Sequence, residues 1–203
     1  MSAAVIIAIF AGALNPQDAW ADHAAWREVP AVALSGVDGA DVRASSLRAR
    51  WNDEWIFFEF TCRDAEIVSP GTRDGIDHFK LGDVVEIFLG RAGAKTYAEV
   101  HATPEGRKSL YFFSDYRTAA AAPAGAESAQ VRAATSPGGW RAVMSIPWSM
   151  AGGSPRRGAW EILAGRYDYA APGAQPVLSS FPAQVGKPDF HVRARYAKLD
   201  LQR

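Results

Sequence analysis

Three strand–turn–strand signals dominate this chain. Residues 46–51 alternate, with Leu47, Ala49 and Trp51 on one side and Arg48 and Arg50 on the other. Asn52, Asp53 and Glu54 make a turn, and residues 55–62 read as the returning strand of a hairpin. Residues 96–103 and 109–115 flank Pro104, Glu105 and Gly106, a second hairpin signal. Residues 131–135 and 140–146 flank Ser136, Pro137, Gly138 and Gly139, a third. Further strand-like runs lie at 84–89, 160–169 and 198–201, and no long helical pattern interrupts them. A short helical turn is expected from Pro147 to Met150, where proline suits a first turn. Residues 119–125 are small and proline-broken and read as a surface loop. This spacing predicts an all-β fold, an antiparallel sandwich or barrel, in one domain over residues 1–203.

The N-terminus has two readings. Residues 2–14 are apolar, and residues 1–21 would make a secretory signal with Ala19-Trp20-Ala21 as its cleavage site. No Lys or Arg precedes that run, however, and residues 5–10 are rich in β-branched side chains, so an N-terminal strand is the preferred reading. The run is too short for a membrane span, which needs about 20 apolar residues. The 22 basic and 22 acidic residues balance, so no overall positive field draws the chain to nucleic acid. The single cysteine, Cys62, excludes an intramolecular disulfide and a cysteine-rich zinc site. It reads as an inert core residue.

Chemistry-bearing residues concentrate in the loop 69–83, which holds Arg73, Asp74, Asp77, His78, Lys80 and Asp83. Asp64, Asp74, Asp77 and Asp83 are candidate oxygen ligands for Ca²⁺, although their spacing is not that of an EF-hand. The alternative is a solvated loop with turn-forming aspartates. Asp83 and Glu86 resemble a carboxylate pair of the kind a glycosidase uses. On a strand, residues three apart point to opposite faces, so the better reading is a single Glu86 on a concave face, accepting hydrogen bonds from hydroxyls. The competing reading is a structural glutamate paired with an arginine. His23, His78, His101 and His191 show no metal-ligand spacing. Most of the 23 aromatic residues fall on strands and belong in a core. Those in loops (Phe79, Tyr116, Tyr167, Tyr169 and Tyr196) are the better candidates for flat platforms under a ligand ring.

Six segments occur in a telling order: WNDEWIFFEFTCRD (51–64), LGDVVEIFLG (81–90), YAEVHATPEG (97–106), GGWRAVMSIPWS (138–149), GRYDY (165–169), and a closing Phe190-His191 with KLDL (198–201). Together with the opening NPQDAWADHAAWREVPAV (15–32), they resemble the family 9 carbohydrate-binding modules and their stand-alone relatives. The resemblance spans nearly the whole chain. It implies a β-sandwich, often with bound Ca²⁺, that holds mono-, oligo- or polysaccharides without cleaving them, commonly alongside secreted hydrolases that break polysaccharides down. A secreted or periplasmic location follows from the same resemblance. It places Glu86 at the family's sugar-contacting acid and Arg107 near its ligand-binding arginine. Where the family has a tryptophan, six residues before Glu86, this chain has Lys80, with Phe79 beside it as a substitute. Near GRYDY it has Tyr167 and Tyr169 in place of the second tryptophan, and no asparagine. The alternatives are a structural or interaction sandwich that has lost the sugar site, a hydrolase using Asp83 and Glu86, and a haem-binding relative using Met144 and Lys80.

Overall fold

The computed structural model describes residues 4–203 except 70 and 157, so the first two residues of the apolar N-terminal run and one residue of the loop 69–83 lie outside the described residues. Fourteen strands form among the described residues. They are β1 (Val5–Phe10), β2 (Val32–Ala33), β3 (Ser35–Gly36), β4 (Ser45–Trp51), β5 (Trp55–Arg63), β6 (Val84–Arg91) and β7 (Tyr97–Ala102). The later strands are β8 (Lys108–Asp115), β9 (Thr118–Ala119), β10 (Gln130–Ser136), β11 (Gly139–Pro147), β12 (Trp160–Asp168), β13 (Val177–Phe181) and β14 (Ala197–Gln202). All three sequence hairpins are present: β4–β5, β7–β8 and β10–β11. In the first, the Asn52 side chain fixes the turn by accepting from the Glu54 and Trp55 amides at 3.0 and 2.8 Å.

The strands run β10-β11-β5-β4-β1-β14-β12-β6-β7-β8-β9 in one continuous sheet. It curls so that its two halves face each other, as in a sandwich. Leu47, Phe58, Phe60 and Met144 from one half pack against Val85, Ile87, Leu89 and Val100 from the other. Each such side chain contributes about 1.5–3 kcal/mol by leaving water. One expectation of the fold fails: the sheet is not wholly antiparallel. β1 lies parallel to both β4 and β14 at the seam between the halves. Parallel neighbours need a long crossover, and residues 11–44 supply it. Two short helices, α1 (Pro16–Ala21) and α2 (His23–Arg27), occupy that crossover. Asn15 caps the first through its side chain, with Pro16 opening the turn. The helical turn expected after Pro147 is instead a run of tight turns, and Trp148 there donates from Nε1 to the Asn52 carbonyl at 2.8 Å.

The tryptophans are structural. Trp26, Trp51, Trp140, Trp148 and Trp160 are buried. Four of them donate their indole N–H to a backbone carbonyl. Met144 also lies in the main core, while Lys80 is exposed in an ion pair with Asp77, so the pair named for haem ligation is not assembled.

Candidate functional site

Strand alternation gives the half-sheet β12-β6-β7-β8 two different faces. Val85, Ile87, Ala98, Val100 and Ala102 point into the sandwich. The alternate residues point outward: Gly165 and Tyr167 on β12, Glu86 and Phe88 on β6, Glu99 and His101 on β7, and Ser109, Tyr111 and Phe113 on β8. That outer face forms the floor of a cavity of about 440 Å³, within the range of small-ligand sites. Its walls come from the loops. Asp77 and Phe79 lie on one side, Arg117 from the β8–β9 turn on another, and Pro188, Asp189, Phe190 and His191 arrive from the segment before β14.

At the centre of the floor, two carboxylates share one imidazole. His101 Nε2 donates to Glu99 Oε1 at 2.5 Å and lies 3.1 Å from Glu86 Oε1. All three residues are buried, Glu86 at 2% exposure. Burial pushes the Glu86 carboxyl up to about 8, with His101 opposing the shift and Glu99 adding to it. For His101, burial disfavours the charged ring, but Glu86 and Glu99 outweigh it and hold the imidazole above its ordinary value. The other ring nitrogen, Nδ1, has no partner. Around this floor, the Tyr111 hydroxyl donates to Asp77 Oδ1 at 2.9 Å. Burial keeps both Tyr111 and Tyr167 protonated.

The rims are ordered by their own polar contacts. Asp189 accepts from Tyr116 Oη at 2.6 Å, Arg117 Nη2 at 3.1 Å and the His191 amide at 3.1 Å. Arg117 sits at φ 49°, a conformation unusual for a residue with a Cβ, in the turn that places its side chain at the cavity. Gly165 fits where a Cβ would lie 2.8 Å from the Phe190 ring and 3.5 Å from Glu86 Oε2. Its lack of a side chain lets Phe190 seat against the sheet beside the carboxylate.

The sequence candidates divide. Glu86, Phe79 and Tyr167 line the cavity. Tyr169 does not line it; it donates from its hydroxyl to the Phe79 carbonyl at 2.6 Å and so supports the wall from behind. Lys80 is turned outward to Asp77 at 2.6 Å. Arg107 is exposed after the β7 turn and does not reach the cavity; Arg117, ten residues later, is the arginine that does. Phe79 and Tyr167 do not frame a ring-wide slot, because their rings pack on each other, 5.6 Å apart and tilted by 54°. Reasoning from sequence missed Glu99, His101, Arg117 and Asp189. The signal for the first two was present, since Glu99 and His101 alternate with Ala98, Val100 and Ala102.

The four aspartates named for Ca²⁺ do not form one site. Asp74 accepts from the Lys108 amide, and Asp77 pairs with Lys80 and Tyr111. Asp64 and Asp83 do meet, with Asp168 as third member. Their oxygens are engaged, however. Arg43 contacts Asp64 at 2.6 Å and Asp168 at 3.0 Å, and Arg166 contacts the same two at 2.9 and 3.2 Å. Asp83 accepts from the Val68 and Tyr169 amides at 2.6 and 2.8 Å. Two guanidinium groups and two amides thus occupy five of the six oxygens that a calcium ion would coordinate, and these residues as arranged do not fit one. Asp83 and Glu86 point to opposite faces, as their spacing requires, and form no catalytic pair.

No family model matches the chain, and no curated protein does either. Solved structures do. A candidate carbohydrate-binding protein from Bacteroides uniformis ATCC 8492 matches at a TM-score of 0.81, with 16% identity, over 98% of this chain and 100% of that one. A family 9 carbohydrate-binding module from Caldicellulosiruptor kristjanssonii in complex with cellotriose matches at 0.69, with 12% identity, over 98% and 93%. The fold is that of the family 9 carbohydrate-binding modules. The same module in complex with glucose matches at 0.66, with 12% identity, over 97% of this chain and 95% of that one. The fold expected from the six segments is therefore present, a family 9-like sandwich, at an identity too low to carry residue roles.

Proposed function

We propose that this chain binds a carbohydrate, without cleaving it, in the cavity over β12-β6-β7-β8. The observation that carries the reading is the make-up of the cavity lining: the rings of Phe79, Tyr111, Phe113 and Tyr167 beside a buried group of polar acceptors, Glu86 and Glu99. Sugar C–H faces pack on aromatic rings, and hydroxyls need a few fixed polar partners at the edge. The fold shared with modules solved with glucose and cellotriose supports the same reading. So does the arrangement of the acids. Glu86 and Glu99 both contact one imidazole, that of His101, and are tied to it rather than left on either side of an open gap as a hydrolase requires.

Calorimetric titration with a panel of mono- and oligosaccharides tests the reading. Binding in the micromolar to millimolar range is expected for a site with a few ring contacts, on the order of −4 to −8 kcal/mol. Replacing Tyr111 by alanine removes one ring and the partner of Asp77 and weakens every sugar that binds. The competing reading, a structural sandwich without a ligand, requires that no sugar gives heat and that floor substitutions alter only stability.

A further inference from the structure

The acids around the cavity are not matched one to one by cations, and the shortfall is local. Among the described residues, Asp77 is paired with Lys80 at 2.6 Å, and Asp189 with Arg117 at 3.1 Å. Each rim acid has its cation. On the floor, Glu86 and Glu99 have only His101 between them, so even a fully protonated imidazole leaves one carboxyl without a cation. Glu86 is that carboxyl, and burial holds a proton on it. Its one close polar contact is His101 at 3.1 Å, while its other oxygen faces the space beside Gly165. The remaining ionisable groups offer no positive charge. Tyr111 and Tyr167 are neutral phenols, and burial holds His191 below its ordinary value.

Ionised, that carboxyl would be a buried charge without a partner, so it keeps its proton until another cation takes the proton's place. A neutral hydroxyl can donate a hydrogen bond but cannot replace the proton. A protonated amine does both, and the rings of Tyr111 and Tyr167 that line the cavity suit a cation as well. We infer that the carbohydrate recognised here is an amino sugar, its ammonium group seated on the Glu86–His101–Glu99 floor and its ring against the aromatic wall. This inference rests on the sugar-binding reading and narrows it to one substrate class. Uronic acids would bring a third carboxyl beside Glu86 and Glu99 and carry no cation to replace the Glu86 proton.

Seating the ammonium also displaces a proton. Burial keeps the Glu86 carboxyl protonated to about pH 8 in the empty cavity. Near neutral pH the ammonium pairs with the carboxylate, and the carboxyl proton leaves to the buffer. A neutral sugar leaves that proton in place.

The test is calorimetric titration of D-glucosamine, D-glucose and D-glucuronate at pH 7, each in two buffers of different ionisation enthalpy. A hydrogen bond to a charged partner changes affinity by roughly one to two decades, so glucosamine should bind about tenfold or more tighter than glucose. It should also release up to one proton per molecule bound, while glucuronate gains no affinity over glucose and releases no proton. Glu86→Gln should bring glucosamine to within about twofold of glucose and abolish the proton release. Thermal melting of that variant checks that it is folded, and Glu99→Gln provides a second variant on the same floor. Glucose binding as tightly as glucosamine, or glucosamine binding without proton release, overturns the inference and leaves the sugar-binding reading standing. Failure of all three, and of the wider sugar panel, overturns both.

Discussion

Two buried clusters of three ionisable side chains sit in this protein, and they differ in one respect. Asp64, Asp83 and Asp168 bring ligand atoms within 4.8 Å of one another, as do Glu86, Glu99 and His101. The aspartate cluster lies between strand ends and is closed by two arginines, one of them fully buried, and two backbone amides. The glutamate cluster has one imidazole for two carboxylates and opens into a cavity. Each cluster holds one acid more than it has cations, and burial raises Asp83 and Glu86 alike. Hydrogen bonding and access separate them: both Asp83 oxygens accept backbone amides, whereas Glu86 has His101 as its one close polar contact and lines a cavity where a ligand can meet it.

The contrast breaks most visibly at Arg166. Arg166→Met leaves Asp64 and Asp168 with Arg43 alone, and it should cost about 3–5 kcal/mol in denaturant unfolding. A loss under about 1 kcal/mol means that the aspartate cluster is not held by charge balance. Gly165→Ala tests the open cluster from its edge. The new methyl meets the Phe190 ring and should cost about 1–3 kcal/mol while weakening sugar binding through a displaced wall. Unchanged stability and unchanged affinity together would show that Phe190 does not shape the cavity.

Smaller effects sharpen the same comparison. The Glu86 carboxyl is raised in the folded state, so its favourable protonated form is fully present below its ordinary value of 4.5 and is lost as pH rises through about 8. Glu86→Gln removes that dependence. The variant should melt close to the parent protein at pH 5 and gain on the order of 1 kcal/mol over it at pH 9. A gain at pH 5 that shrinks at pH 9 reverses the sign and refutes the burial argument. Smallest of all is the response to calcium. With its oxygens already bonded, the aspartate cluster should let millimolar Ca²⁺ shift the melting temperature by less than about 1 °C. A rise of several degrees, absent in the Asp64→Asn variant, would show that the ion displaces a guanidinium.

How much could be read in advance follows from how local each signal is. The three hairpins were legible because alternation and turn residues act within a dozen positions. The placement of Glu86 opposite to Asp83 was legible from strand parity, and the same parity along β7 also marks Glu99 and His101. The capped start of α1 was written at Asn15 and Pro16, although the strand pattern drew attention away from it. Arg107 and Arg117 could not be told apart, because both follow turns and only the turn geometry decides which one reaches the cavity.

By itself, the sequence determined the strand content, the hairpins, the fate of most tryptophans as core and the placement of Glu86 on a strand face opposite to Asp83. These depend on side-chain period, turn chemistry and the cost of exposing apolar rings, all of them local. Tertiary structure alone decided that β1 enters the seam parallel to its neighbours. It also decided that the segment carrying Asp189 and Phe190 folds over a floor built about 100 residues earlier, and that arginines and backbone amides close one acidic cluster while the other opens into a cavity. Such contacts are set by distances between residues far apart in the chain, and a pattern of neighbours along the sequence carries no record of those distances.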